Sequence, residues 1–292
     1  MVTRDLHRFI AQLEADSSLF EPDRLRERLA VLDKLDAYFG EADSQAFTAE
    51  PIHSLIYERA SELRSRLDGA NSAIYQSIRG EVQQRAQPDR LLRWIEICRE
   101  HTGSRLPGLA YDYLDELISG ILQLREPNNT MVHPGPERVF YQPTPVRHIL
   151  HLIEMSALSE TDVLVDLGSG LGHVPILASI LTGASSIGIE VDAAYVATAR
   201  ECAHSLGLNQ VTFVQQDAME ADLSTGTVFY MYTPFTGAPL RTVLSRLRKE
   251  NSSRTICVCT LGPCALAVAM EPWLRASTIP DTEHVTCFRS SD

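Results

Sequence analysis

Apolar residues recur at three- and four-residue spacing over the first 126 positions; beyond about position 160 they gather into short runs separated by helical stretches. Leu6, Phe9, Ile10 and Leu13 make one stripe, and Leu25, Leu29, Leu32 and Leu35 make another behind Pro22. Ile52, Ile56, Leu63 and Leu67 predict a third helix that stops at Gly69, and Ile74, Ile78 and Val82 a fourth. A fifth starts at Pro88 and carries Leu91, Leu92, Trp94, Ile95 and Cys98; a sixth covers 111–124. Each stripe leaves a polar face, as helices around a shared core require. A breaker-rich stretch follows at 126–137. The domain boundary is placed there, giving an all-helical part over 1–126 and a second domain over 127–292.

The second part opens with a helix after Thr144 and Pro145, a good N-cap followed by a residue suited to the first helical position. That helix buries Ile149, Leu150, Leu152 and Ile153; His148, His151 and Glu154, at i, i+3 and i+6, read as a solvated or locally hydrogen-bonded face rather than a metal face. Strands are then expected at 163–167, 185–190, 211–216, 227–232 and 255–261, with helices at 174–181, 193–206, 240–247 and 264–270 between and after them. Runs at 273–278 and 284–288 predict a closing hairpin. Alternating strands and helices imply right-handed crossovers and a parallel sheet. The expected fold is therefore α/β: a seven-stranded, mainly parallel Rossmann-like sheet with an antiparallel terminal hairpin, preceded by a helical domain.

Composition narrows the function classes. A net charge of −12 over 292 residues argues against general nucleic-acid binding, which needs a basic surface. No run of about 18 apolar residues is present to span a membrane, and the charged start, Met1 to Arg8, lacks an apolar signal core, so a cytoplasmic location is expected. The six cysteines, at 98, 202, 257, 259, 264 and 287, form no Cys-x-x-Cys pair. They read as reduced core residues, and no metal site is expected.

The candidate chemistry sits where the first strand ends. Gly168, Gly170 and Gly172 follow Asp166 in the order Asp-x-Gly-Ser-Gly-x-Gly. A strand, a glycine turn and a helix N-terminus make the ligand-binding edge of a doubly wound sheet. A dinucleotide fingerprint would place its third glycine at 173, where this chain has His. Glu190 ends the second strand, where a carboxylate can accept both hydroxyls of a ribose, and Asp217-Ala218 follows the third. The arrangement resembles the first motifs of class I S-adenosylmethionine-dependent methyltransferases. That resemblance implies S-adenosyl-L-methionine as cofactor, held by Asp166, Gly168, Ser169, Gly170, Gly172, Glu190, Asp217 and Ala218.

Over roughly 137–261 the chain also resembles the non-SET lysine methyltransferases of the disruptor-of-telomeric-silencing family. Phe140-Tyr141-x-x-Thr144 matches the loop that closes over the cofactor there, which gives Tyr141 and Thr144 that role. The segment Tyr232-Thr233-Pro234-Phe235 stands where the family has an asparagine and aromatics lining the acceptor channel, so Tyr232, Thr233 and Phe235 are the acceptor-side candidates. The implied reaction is an in-line displacement by a nucleophile, on a protein or peptide side-chain nitrogen or on a small molecule. A lysine would need to lose its proton, helped by aromatic walls and desolvation; a hydroxyl would want a base, for which His148 and His173 are candidates. The helical part is expected to act as a cap, a substrate lid or a homodimer contact.

Overall fold

The computed structural model describes residues 2–42, 51–85, 88–99, 109–127 and 141–290. Most of the expected 126–137 linker and Phe140 lie outside the described residues. The chain divides into two compact units, residues 1–80 with 89–103, and residues 81–88 with 104–292.

The first unit consists of α1 (Val2–Ala15), a short 3-10 turn (Ser17–Phe20), α2 (Leu25–Ala42), most of α3 (Pro51–Gln83) and α4 (Asp89–Arg99). Its buried side chains are those of the expected stripes, among them Ile10, Leu25, Leu35, Leu63, Leu67 and Ile78. Burying each such side chain contributes about 1.5–3 kcal/mol. The expected third and fourth helices are one continuous α3, because Gly69 does not stop it. Gly69 has open space around it, so it costs only about 1 kcal/mol in helix propensity, while the buried stripe continues on both sides. The stripe includes one charge. Arg28 is buried, and its guanidinium donates to Asn71 Oδ1 at 2.6 Å and to the carbonyls of Leu19 and Glu21 at 2.8 Å. A buried cation needs such partners, and these pin α2 to α3 and to the 3-10 turn.

The second unit contains α5 (Tyr113–Leu122), α6 (Val146–Ser156), β1 (Val163–Leu167), α7 (His173–Thr182), β2 (Ser185–Glu190), α8 (Ala193–Ser205) and β3 (Val211–Gln215). It continues with β4 (Val228–Tyr232), α9 (Gly237–Asn251), β5 (Cys257–Leu261), α10 (Cys264–Val268), β6 (Leu274–Ala276) and β7 (Thr286–Ser290). Helix α5 belongs here, whereas the boundary expected at 126/127 would place it with the helices before it. The reason lies in its polar ends as well as its apolar face. Asp112 and Asp115 form a capping box, Asp115 Oδ1 also accepts from Val146 N at 2.8 Å, and the carbonyl of Leu122 accepts from Cys202 Sγ at 3.3 Å. Asp115 thereby serves the start of α6. Thr144, expected as that helix's N-cap, turns its hydroxyl elsewhere, and Pro145 takes the N-cap position without a side-chain bond.

The seven strands run in the order β3-β2-β1-β4-β5-β7-β6. β1 to β5 are parallel, and β7 is antiparallel to both β5 and β6. This is the α/β architecture expected, with its terminal hairpin. Parallel strands buried on both faces read as near-continuous apolar runs, which is why these were legible. One sheet face carries Val165, Leu167, Phe229, Met231, Val258 and Phe288 into a core shared with α9 and α10. The other face carries Asp166, Tyr230, Cys259 and Cys287, which lie in one register row across four strands. The strand order reverses between β1 and β4, and a crevice opens there beyond the carboxyl ends of the strands.

Candidate cofactor site

The glycine turn after β1 is folded toward β2. Gly168 N and Ser169 N both donate to the Ile189 carbonyl, at 2.8 and 3.0 Å, and Gly172 N donates to Ser169 O at 2.8 Å before α7 begins. Two glycines are required by what approaches them. Gly168 has φ +89°, and a Cβ there would run into the Pro234 ring; Gly170 has φ +51°, and a Cβ there would run into the Tyr141 ring. At Gly172 the Phe213 ring occupies the same kind of space.

Glu190 closes β2, and its carboxylate is fixed by the main chain. Oε2 accepts from Gly170 N at 2.9 Å, and Oε1 accepts from Val191 N and Asp192 N at 2.7 and 3.0 Å. Two carboxylate oxygens offer about four lone-pair sites, so accepting capacity remains for a ligand. Asp192 caps α8 by accepting from Ala194 N at 2.8 Å. Asp166 is 3% exposed. Burial, with the nearby Glu190 charge second, holds its carboxyl well above the usual range, and no hydrogen-bond partner reaches it among the described residues. Asp217, after β3, accepts from Met219 N at 2.9 Å and leaves Ala218 packed into the core.

A second segment crosses this turn. The Tyr141 hydroxyl lies 3.1 Å from His173 Nδ1, and its ring lies 4.9 Å from that of Tyr195, whose hydroxyl donates to Glu126 Oε1 at 3.1 Å. Burial pushes the Tyr141 phenol up and the His173 imidazole down to about 4. Both are therefore neutral near pH 7, and one hydrogen bond joins the phenol to Nδ1. Three residues further on, Thr144 Oγ1 and Tyr230 Oη pair at 3.1 Å, both buried. The Tyr111 hydroxyl donates to the Pro143 carbonyl at 2.9 Å.

Between these segments lies a cavity of about 350 Å³, within the usual range for a small-ligand site. Tyr141, Thr144, Asp166, Gly168, Ser169, Glu190, Asp217, Ala218, Tyr232, Thr233 and Phe235 all line it. Gly170 and Gly172 shape the turn from behind, the first covered by Tyr141. The acceptor-side residues differ from one another. Tyr232 Oη is buried without a partner, and burial pushes its phenol up to about 12. The Thr233 hydroxyl is spent on the main chain, donating to Leu261 O at 3.0 Å and accepting from Cys264 N at 3.1 Å, which holds that residue at φ +37°. Phe235 belongs to the core cluster that contains Ala218 and Leu240.

The candidate bases do not meet this cavity as bases. His148 is buried on α6, faces the His284 ring edge-on at 6.3 Å and does not line the cavity, while His151 on the same face is half-buried and Glu154 exposed. His173 lines the cavity but is tied to Tyr141, and with its pKa near 4 it is a weak acceptor of protons. Sequence reading missed Glu126, Tyr195 and Tyr230. Tyr230 reaches the site only through its register opposite Asp166, and register is set by strand pairing that no local motif announces.

The donor set fits S-adenosyl-L-methionine. A partnerless buried carboxyl (Asp166) and an unpaired Ser169 hydroxyl border the cavity. Turn glycines leave no room for a Cβ, and the carboxylates of Glu190 and Asp217 line the same cavity. Residues 137–223 match the family model described as "Histone methylation protein DOT1". Among curated proteins none matches the sequence significantly. Solved structures that resemble the chain include an RNA methyltransferase from Salinibacter ruber in complex with S-adenosyl-L-homocysteine, at 29% identity over 51% of this chain and 92% of that one, with a TM-score of 0.41. A putative RNA methyltransferase from Pyrococcus horikoshii matches at 18% identity over 61% of this chain and 98% of that one, TM-score 0.42. A precorrin-6y C5,15-methyltransferase from Geobacter metallireducens matches at 17% over 51% and 90%, TM-score 0.41. With the glycine turn, Asp166, Glu190 and Asp217 in place on this sheet, and the family match covering them, the chain is a class I S-adenosylmethionine-dependent methyltransferase with a DOT1-like segment over residues 137–223.

Proposed function

We propose that the enzyme methylates a side-chain nitrogen of a protein or peptide. The observation that carries this reading is the match to a histone-methylating family over 137–223, a stretch that includes the Tyr141–Thr144 segment lying across the glycine turn. When bound, the cofactor supplies an electrophilic methyl group on a sulfonium. In this reading Asp166 would accept from the cofactor's cationic amino group, Glu190 from its ribose hydroxyls and Asp217 from its adenine amino group. Tyr141 and Thr144 close the near side and exclude water, which strengthens each polar contact inside.

An amine acceptor suits the other end. Tyr232, pushed up to about 12 by burial, keeps its proton and presents an unpaired hydroxyl. Its lone pairs can accept from a neutral amine and aim the nitrogen at the reacting carbon, while the ring helps to desolvate the approaching cation and lower its pKa. The net charge of −12 favours a basic polypeptide as partner. The first unit would serve as substrate contact, lid or dimer surface.

Label transfer from methyl-tritiated cofactor into a cell extract tests this. Acid-stable label in the protein fraction is expected. Label confined to metabolites would replace the protein acceptor with a small molecule and make the helical unit a lid; label in RNA would remove both readings.

A further inference from the structure

Three cysteines meet on the sheet face opposite the α9 and α10 layer. Cys257 and Cys259 are two apart on β5, so both point to one face. Cys259 stands directly opposite Cys287 of antiparallel β7, and directly opposed residues project to the same face. The three sulfurs lie within 4.8 Å of one another, with Cys257 and Cys259 at 3.6 Å. All are reduced and buried. Arg289, in register opposite Cys257, shares this face, and its Nη2 donates to Ser156 O at the end of α6 at 3.4 Å. The cluster therefore lies under α6, two strands from Asp166 and outside the cofactor cavity.

We propose that Cys257, Cys259 and Cys287 form a binding site for a soft monovalent cation of the Cu(I) class. With metal–sulfur bonds of about 2.3 Å, sulfurs around one ion lie roughly 3.8 to 4.0 Å apart, so small χ1 changes close the observed triangle. Thiolate sulfur selects soft ions. Structural zinc takes four ligands, and among the described residues no fourth His, Cys, Asp or Glu joins the three sulfurs. Charge points the same way. Two thiolates, one neutral thiol, one Cu(I) and the Arg289 guanidinium sum to zero, so a dry interior can hold them. Binding displaces two protons to solvent and changes no oxidation state.

The test is an anaerobic titration of the full-length, reduced chain with Cu(I) against a colorimetric Cu(I) chelator, followed by the thiolate-to-copper charge-transfer band. One equivalent is expected to bind to wild type and to the variant Cys98→Ala/Cys202→Ala/Cys264→Ala, which keeps only the cluster. That equivalent is expected to be lost in Cys287→Ala and in Cys257→Ala/Cys259→Ala. Should those variants fail to fold, alkylation of native wild type decides: one equivalent of Cu(I) must shield the three cluster cysteines, read by peptide mass mapping. Retention of the band in the cluster variants, no competition with the chelator, or uptake of Zn(II) in preference to Cu(I) would each overturn the site.

Discussion

The Tyr141 ring occupies the space that a side chain at Gly170 would need. The two residues are far apart in sequence, yet each explains the other: the turn can be covered this closely only because Gly170 lacks a Cβ. Gly170→Ala adds the steric conflict to a left-handed backbone, φ +51°, that costs a non-glycine residue about 1–2 kcal/mol. The expected result is a fall of about tenfold or more in affinity for S-adenosylhomocysteine by calorimetry, equivalent to about 1.4 kcal/mol. Tyr141→Ala in the same chain should recover part of that loss, because contacting residues couple. Strict additivity of the two changes would show that Tyr141 does not sit on the turn in the bound state.

Glu190 joins the two halves of the site. Its carboxylate receives main-chain N–H groups of Gly170, Val191 and Asp192, and hydrogen bonds to a charged group contribute about 1.5–3 kcal/mol. Glu190→Gln keeps the shape but replaces one acceptor with a donor facing N–H groups. Unfolding by urea should show a loss of about 1–2 kcal/mol, and cofactor affinity should drop further than stability alone accounts for. Unchanged affinity with reduced stability would assign Glu190 to the turn only.

His173 gives a pH signature. Its folded pKa is pushed down to about 4 by burial, from 6.5. Between those values the unfolded chain binds a proton that the folded chain refuses, so stability falls as pH drops from 6.5 toward 4. Asp166 and Asp115 act in the opposite sense, since burial raises both and the folded state protonates first. The useful quantity is therefore the difference between wild type and His173→Asn. That difference should shift against wild type by on the order of 1–2 kcal/mol between about pH 7 and pH 5 in urea unfolding. A pH-independent difference would mean that His173 titrates in the folded state as it does unfolded.

The fold was largely legible because its signals are local. Five parallel strands read as apolar runs, the β1 turn announced itself through three glycines, and Glu190 and Asp217 sit at strand ends that periodicity alone defines. What failed was set by packing across elements. Gly69 reads as a stop, but α3 continues because its stripe stays buried. Thr144 reads as a cap, but Asp115 reaches over from α5 and frees the threonine for Tyr230. Asp115 and Tyr230 are each brought there by a neighbouring helix or strand, and neither partner is near in sequence. Phe235 both lines the cavity and packs in the core cluster with Leu240 of α9, which starts two residues later.

Tyr232 offers the sharpest division between stability and activity. An unpaired buried hydroxyl costs about 1–3 kcal/mol, and the Tyr232 Oη is such a group. Phenylalanine has the same ring and no need of a partner, so packing gives no reason for the hydroxyl. If it serves the acceptor, Tyr232→Phe should stabilise the fold by about 1 kcal/mol and leave S-adenosylhomocysteine affinity within about twofold. It should also lower kcat/KM for the methyl acceptor by about tenfold, an effect of about 1.4 kcal/mol on the transition state. Thermal unfolding, calorimetry and label transfer on one pair of proteins measure all three. A destabilised Tyr232→Phe with full turnover would show that the hydroxyl has a structural partner and would move the acceptor end away from β4.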